Sequence, residues 1–255
     1  MENILSAVFT ALMVSAFGAM GGALIALMIK KPDCKFSAAL MGFSGGIIVT
    51  AIFEMLHESI EIAGVPPVLV GVAVGAFVLF LVTRLIPHAD PADYGDDMII
   101  EGLKGTGVSH ADVIRTGKLL AVGVAIHNLP QGIAIGGAAG NFGFALAALL
   151  VLHNVPEAMA MAIPMKLGRV DNSKIIRIVL MTAIPTVVGA VIGAVVSGIS
   201  PVFLGACVSF GAGAMAYLTI REMIPQALRL YKGPGTFAAM AVGIGMGLVV
   251  LWLTH

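Results

Sequence analysis

Charge is what this 255-residue chain has least of: 11% of its residues are Asp, Glu, Lys or Arg. A soluble domain carries roughly 25% charged residues to clothe its surface. A water-exposed globule is therefore excluded, and most of the surface must face lipid. The 14 basic and 14 acidic residues cancel, leaving no basic field for a nucleic-acid partner. Cysteine is nearly absent as well. Cys34 falls in the first loop and Cys207 at the start of the seventh apolar run, so neither a disulfide framework nor a thiolate cage for tight structural zinc is indicated. Strand-length alternation is missing, which argues against a β-barrel. The first apolar run has no basic segment before it and continues at spanning length to Ile29, so no cleavable signal peptide is expected.

What is present is apolar: 59% hydrophobic residues and 32 glycines. Eight segments are long enough, or nearly so, to cross about 30 Å of hydrocarbon at about 1.5 Å per residue. They lie near 4–29, 38–62, 66–87, 116–140, 142–166, 174–198, 202–228 and 235–254. The expected fold is an all-α polytopic membrane protein, with residues 1–255 forming one transmembrane domain. Basic residues then set the orientation. Lys30, Lys31 and Lys35 follow the first segment, and Arg84, Lys104, Arg115 and Lys118 flank the third connection. Lys166, Arg169, Lys174 and Arg177 flank the fifth, with Arg229 and Lys232 in the seventh. Thus 13 of the 14 basic residues sit on alternate connections, and Arg221 lies towards the same side. By the positive-inside rule those connections are cytoplasmic and both termini lie outside. The long connection 88–115, with six acidic residues plus His88 and His110, reads as a flexible cytoplasmic loop. Transient capture of departing cations is the sharper alternative for it.

Two stretches stand out against this background. "HNLPQGIAIG" begins at His127 and "HNVPEAMAMA" at His153, and they align residue by residue with Gln131 opposite Glu157. A short turn around Asn141 joins their helices, which must run antiparallel. A weaker pair links "GGIIVTAIFEML" (45–56) to "GAMAYLTIREMI" (213–224), matching Glu54 with Glu222. Repeats of opposite orientation are a mark of secondary transporters, and the pattern is three helices, two central helices and three inverted ones.

The chemistry follows from side chains that are expensive in a bilayer. An ionisable residue at mid-membrane costs at least about 2.5–3.5 kcal/mol and is a functional candidate by default. Residues four apart share a helical face, so His127 lies beside Gln131 and His153 beside Glu157, with Asn128 and Asn154 adding amide oxygens. Pro130 and Pro156 free the carbonyls of Ile126 and Leu152 and bend each helix. Two imidazoles, one carboxylate and several amides suit a borderline divalent metal such as Zn²⁺ or Fe²⁺ better than Mg²⁺ or Ca²⁺. Glu54 is expected towards the outer side of this centre and Glu222 towards the cytoplasm. His57 and Glu58 would form an entrance relay with Glu61 near the mouth. Glu222 has a structural alternative, pairing with Arg221 or another basic residue at the inner interface. Met55 is either a soft thioether ligand or, like most of the 15 methionines, adaptable filler.

With these motifs in place the chain resembles the ZIP (Zrt/Irt-like) divalent-metal transporters, and most of all their GufA-type prokaryotic branch. The resemblance covers nearly the whole chain. In that family the fourth and fifth helices carry H-N-x-P-E-G-like sequences, matched here by His127, Asn128 and Gln131 and by His153, Asn154 and Glu157. "REMIPQA" (221–227) resembles the seventh-helix element and implicates Glu222. "FEMLHES" (53–59) resembles the second-helix element, with Glu54 at its acidic position. The resemblance implies a three-two-three bundle, often a homodimer, in the cytoplasmic membrane of a prokaryote. It implies uptake of Zn²⁺, or of Fe²⁺, Mn²⁺ or Cd²⁺, as cargo, with no prosthetic group and no enzymatic activity. Two positions depart from the pattern: Gln131 replaces a glutamate and Ala158 a glycine. Losing one carboxylate favours one ion at a time over a two-metal centre. Two other functions remain open, a metal-sensing or scaffold homologue that does not transport, and an intramembrane metal-dependent hydrolase. The absence of H-E-x-x-H counts against the hydrolase.

Overall fold

The computed structural model describes residues 2–29, 33–85, 109–137, 144–195 and 200–254, and no strand occurs among them. The helices are α1 (Glu2–Met28), α2 (Cys34–Ala63), α3 (Val65–Leu85), α4 (His110–Gly137), α5 (Phe144–Leu167), α6 (Asn172–Met181), α7 (Ile184–Val195), α8 (Pro201–Leu218), α9 (Ile224–Leu230) and α10 (Pro234–Thr254). Among the described residues, seven helical stretches are long and apolar enough to cross a membrane, with α6–α7 and α8–α9 each counting as one. The other long helix is α5, whose 24 residues reach about 36 Å. This is an all-α polytopic membrane protein. Large apolar side chains such as Phe9, Phe53, Leu69, Phe77 and Trp252 point outward, as a lipid-facing surface requires.

Local chemistry sets the helix ends. Asp33 caps α2 by accepting from the Phe36 N–H at 2.6 Å, as a carboxylate before a first turn does. Gly64 closes the same helix at φ 74°, its N–H bonding to Ile60 O, a positive φ that glycine adopts without strain. Helix α4 starts earlier than its apolar run. Ser109 and Asp112 cap one another reciprocally, at 3.0 and 3.1 Å, so residues 110–115 of the expected loop are helical. Residues 88–108 and the turn around Asn141 lie outside the described residues.

Two spans are not continuous α-helix. The sixth breaks at Thr182–Ala183, between α6 and α7, where Pro185 has no N–H to offer the Met181 carbonyl. The seventh passes through a π turn, Thr219–Met223, in which the Ile224 N–H reaches back five residues to Thr219 O. Pro225 follows at once and cannot donate to the Arg221 carbonyl. A π turn accommodates that lost bond and turns the intervening side chains.

Glycines let the helices approach at backbone distance. Gly18 and Gly22 meet Val151 and Val155 carbonyls, joining α1 to α5. Gly189 and Gly193 meet those of Leu129 and Ile133, joining α7 to α4. Gly46 lies on Met240 O, joining α2 to α10, and Gly71 and Gly75 lie on Ala206 O and Phe210 O, joining α3 to α8. In each multiply contacted pair the numbers rise together, so those helices run parallel. Gly117 facing Met161 and Met165, with Gly168 facing Ile114, makes α4 and α5 antiparallel. Gly45 facing Met223, with Gly205 facing Ser59 and Ala63, does the same for α2 and α8. Helices α1, α4, α5 and α6–α7 form one group and α2, α3, α8–α9 and α10 another, meeting where α4 touches α8 and α2 touches α5.

Candidate metal site

The antiparallel crossing of α4 and α5 brings the two His-Asn-x-Pro stretches together. His127 Nε2 lies 3.7 Å from Glu157 Oε1, and the two side chains are 1% and 2% exposed. That separation is too long for a hydrogen bond. It does fit two ligands of one ion. Bonds of about 2.1 Å to nitrogen and oxygen place their donor atoms roughly 3.4 Å apart at a tetrahedral angle and about 3.6 Å apart near 120°.

Helix packing leaves room for the imidazole. A Cβ added at Gly211 of α8 would sit 2.9 Å from His127 Nδ1 and 3.3 Å from the Met55 methyl. Only glycine lets α8 pass there without displacing the ring. Met55 therefore ends beside the same backbone position as the imidazole, and Glu54, its neighbour in α2, is half-buried.

The asparagines are held in matching ways. Asn128 is buried and its Nδ2 donates to Thr182 O at 2.6 Å, where the sixth span breaks. Asn154 is buried and its Nδ2 donates to Val14 O of α1 at 3.4 Å. Between those two acceptors, Ser15 Oγ donates to Thr186 Oγ1 at 2.8 Å, tying α1 to α7. With its N–H committed to a backbone carbonyl, each amide keeps its oxygen. Asn128 Oδ1, Asn154 Oδ1 and Gln131 Oε1 are buried and accept no hydrogen bond among the described residues. A buried oxygen left without a donor costs about 1–3 kcal/mol, and a cation is what such an oxygen can satisfy.

The remaining expected residues divide. His153 belongs to α5, and its side chain lies outside the described residues. Glu222 sits in the π turn, where Oε2 lies 3.8 Å from Arg115 Nη1 of α4. The partner is thus a basic residue across the bundle, while the adjacent Arg221 is exposed. His57 and Glu58 are exposed, and His57 Nε2 lies 3.8 Å from Glu61 Oε1. Among the described residues no group of three or more His, Cys, Asp and Glu gathers around a common point. The glycine-rich stretch 211–215 reads from sequence as a place of close helix approach, and Gly211 within it is the one that faces His127. Sequence reading passed over the Thr182 break, for which Pro185 was the signal, and the pairing of Arg115 with Glu222.

Residues 104–253 match the family model described as ZIP zinc transporter. The chain belongs to the ZIP family. It is 30% identical over 245 residues to the zinc transporter ZupT of Enterobacter sp. (strain 638), covering 90% of this chain and 91% of that protein. The ZupT proteins of Salmonella paratyphi A and Salmonella newport (strain SL254) are each 29% identical over 245 residues, with the same coverage. The family is one of transporters and not of enzymes, and it supports divalent-metal transport for this chain. The match spans α4 to α10, where the His127–Glu157 pair, the Thr182 break and the π turn all lie.

Proposed function

We propose that this chain carries divalent transition-metal ions into the cytoplasm, one at a time, through a centre formed by His127, Glu157 and the amide oxygens of Asn128, Gln131 and Asn154. The observation that carries this reading is the fully buried imidazole and carboxylate 3.7 Å apart, beside amide oxygens that accept nothing else. His153, one turn from Glu157, is assigned as the second imidazole. A mixed nitrogen and oxygen set without thiolate suits Zn²⁺ first, with Fe²⁺, Mn²⁺ and Cd²⁺ as competitors. The relatives named as zinc transporters support the same choice. A single buried carboxylate on α4 and α5, Glu157, with Gln131 in the place of a second, supports passage of one ion at a time.

The eight spans are read as a three-two-three inverted repeat with both termini outside. Recurring pairs support it: α1 on α5 answers α7 on α4, and α2 on α10 answers α8 on α3. The matched asparagine bonds of α4 and α5 repeat the correspondence at the centre. The alternating placement of lysine and arginine supports the orientation in a bacterial cytoplasmic membrane. His57, Glu58 and Glu61 then form a solvated cation entrance, and Glu54 follows it inward.

The test is zinc uptake into proteoliposomes by the wild type and a His127→Ala, Glu157→Ala double variant, with competing Fe²⁺, Mn²⁺, Cd²⁺ and Mg²⁺. Uptake lost in the variant, and blocked by the transition metals but not by Mg²⁺, is expected. Undiminished flux in the double variant overturns the site. Tight zinc binding by a wild type that moves no metal would instead favour a sensing or scaffold role.

A further inference from the structure

Arg115 and Glu222 come from different groups of helices, α4 and the π turn after α8. Their side chains are 16% and 19% exposed and meet at 3.8 Å through one nitrogen and one oxygen. The surroundings hold more donors than that carboxylate uses. Arg115 Nε is buried with no hydrogen-bond partner among the described residues, and so is Gln226 Nε2, one turn beyond Glu222 on the same face. Helix α2 closes this region: Gly45 packs against Met223, and the preceding Ser44 is fully buried with its hydroxyl oxygen also unpartnered among the described residues. Buried polar groups left unsatisfied on α4, α9 and α2 call for an explanation.

A carboxylate alone in such a place would hold a divalent cation too well to let it go. Paired with a guanidinium, which stays charged at any working pH, it is neutral to an approaching ion. The contact is a single loose one, without the bidentate fork of strong Arg–carboxylate pairs, so it can exchange. We propose that Arg115 is the counter-ion of Glu222 between ions, and that a divalent cation travelling between the central pair and the end of the bundle where α4 begins displaces it. Arg115 is then a positioning residue that competes with the cargo and sets its release. The proposal rests on the transport reading above.

The two partners must act in opposite directions, which a merely structural ion pair does not predict. Arg115→Gln leaves Glu222 unpaired, so zinc is held more tightly: KM for uptake falls about tenfold and the maximal rate falls with it. Glu222→Gln leaves Arg115 unpaired and repels the ion, so KM rises by a similar factor. Adding Arg115→Gln to Glu222→Gln relieves that repulsion and brings KM back towards the wild type. If both single variants raise KM, or if KM does not move in either, the proposal is overturned. Should Arg115→Gln alone fail to fold, the comparison of Glu222→Gln with the double variant decides, and an unchanged KM there overturns it. Wild-type protein that takes up no zinc removes the transport reading itself. Normal wild-type uptake with same-sign shifts removes only the role of Arg115.

Discussion

The sharpest test of the site uses a residue with no polar atom to offer. Gly211 of α8 faces His127, and a Cβ there would lie 2.9 Å from Nδ1, where ordinary contact begins at 3.4 Å. In Gly211→Ala the imidazole must therefore move by about half an ångström, or α8 must shift by as much. The 3.7 Å separation from Glu157 Oε1 has little room for that. Moving away, Nε2 would stand about 4.2 Å from the carboxylate, the full sum of two bonds of about 2.1 Å, where one ion touches both only on a straight line. Moving closer, it would fall to about 3.2 Å, inside the tetrahedral edge. Either displacement removes a good two-ligand grip. Misplacements on this scale change binding and turnover by up to about 100-fold, so KM for zinc should rise by roughly ten- to a hundredfold, with a stability loss of about 1–3 kcal/mol from overpacking. Uptake kinetics in proteoliposomes give the first number and thermal unfolding in detergent the second. In a His127→Ala background the methyl has no ring to push, so adding Gly211→Ala should leave KM where His127→Ala put it. Wild-type KM in the single variant would refute the reasoning, as would a full additional loss in the double.

Gln131→Glu restores a second buried carboxylate on the face of His127. Without metal the two acids repel and the unfolding temperature should fall. Zinc should more than restore it, and isothermal titration should show tighter binding or a second ion; an unchanged titration would mean that residue 131 does not face the cation. At the start of α6, the Ser173 hydroxyl and amide both donate to Asp171 and hold its carboxyl below the usual carboxylate range. A depressed folded value adds stability above the unfolded pKa and loses it as pH falls through the folded one. Asp171→Ala should thus lower the unfolding temperature at neutral pH, and the gap to the wild type should narrow below pH about 4; a gap that stays constant to low pH would show that the charge contributes nothing.

Much of this protein is written in its sequence because the bilayer makes the code coarse. A lipid-facing helix must be apolar along its whole length, so long apolar runs with little charge announce an all-α polytopic membrane protein from the sequence alone. The duplicated His-Asn-x-Pro likewise stands out, since ionisable and amide groups are costly in hydrocarbon and are functional candidates by default. Interruptions are harder. Pro185 and Pro225 are visible, yet one lies just after a helix break and the other just after a π turn, and no local pattern tells the two apart. At the break the Thr182 carbonyl accepts from Asn128, a residue from another helix. Register between helices is what a sequence hides most completely. Arg115 looks like one more basic residue in a cytoplasmic loop until the Ser109–Asp112 cap extends α4 by a turn and sets it opposite Glu222.

Gly211 shows why the centre needs both groups of helices. His127 and Glu157 come from one group, and α4 and α5 alone would bring them together. Yet the imidazole edge away from Glu157 is bounded by the bare backbone of α8, from the other group, with the Met55 methyl of α2 beside it. The position of one donor atom therefore depends on how the two groups sit against each other. A relative shift of even half an ångström at that contact acts on the 3.7 Å separation directly. The same seam carries the Arg115–Glu222 pair, which again joins α4 to the seventh span. On the proposed reading, grip at the centre and neutralisation of Glu222 depend on one interface, so a change that loosens α4 from α8 should disturb both together.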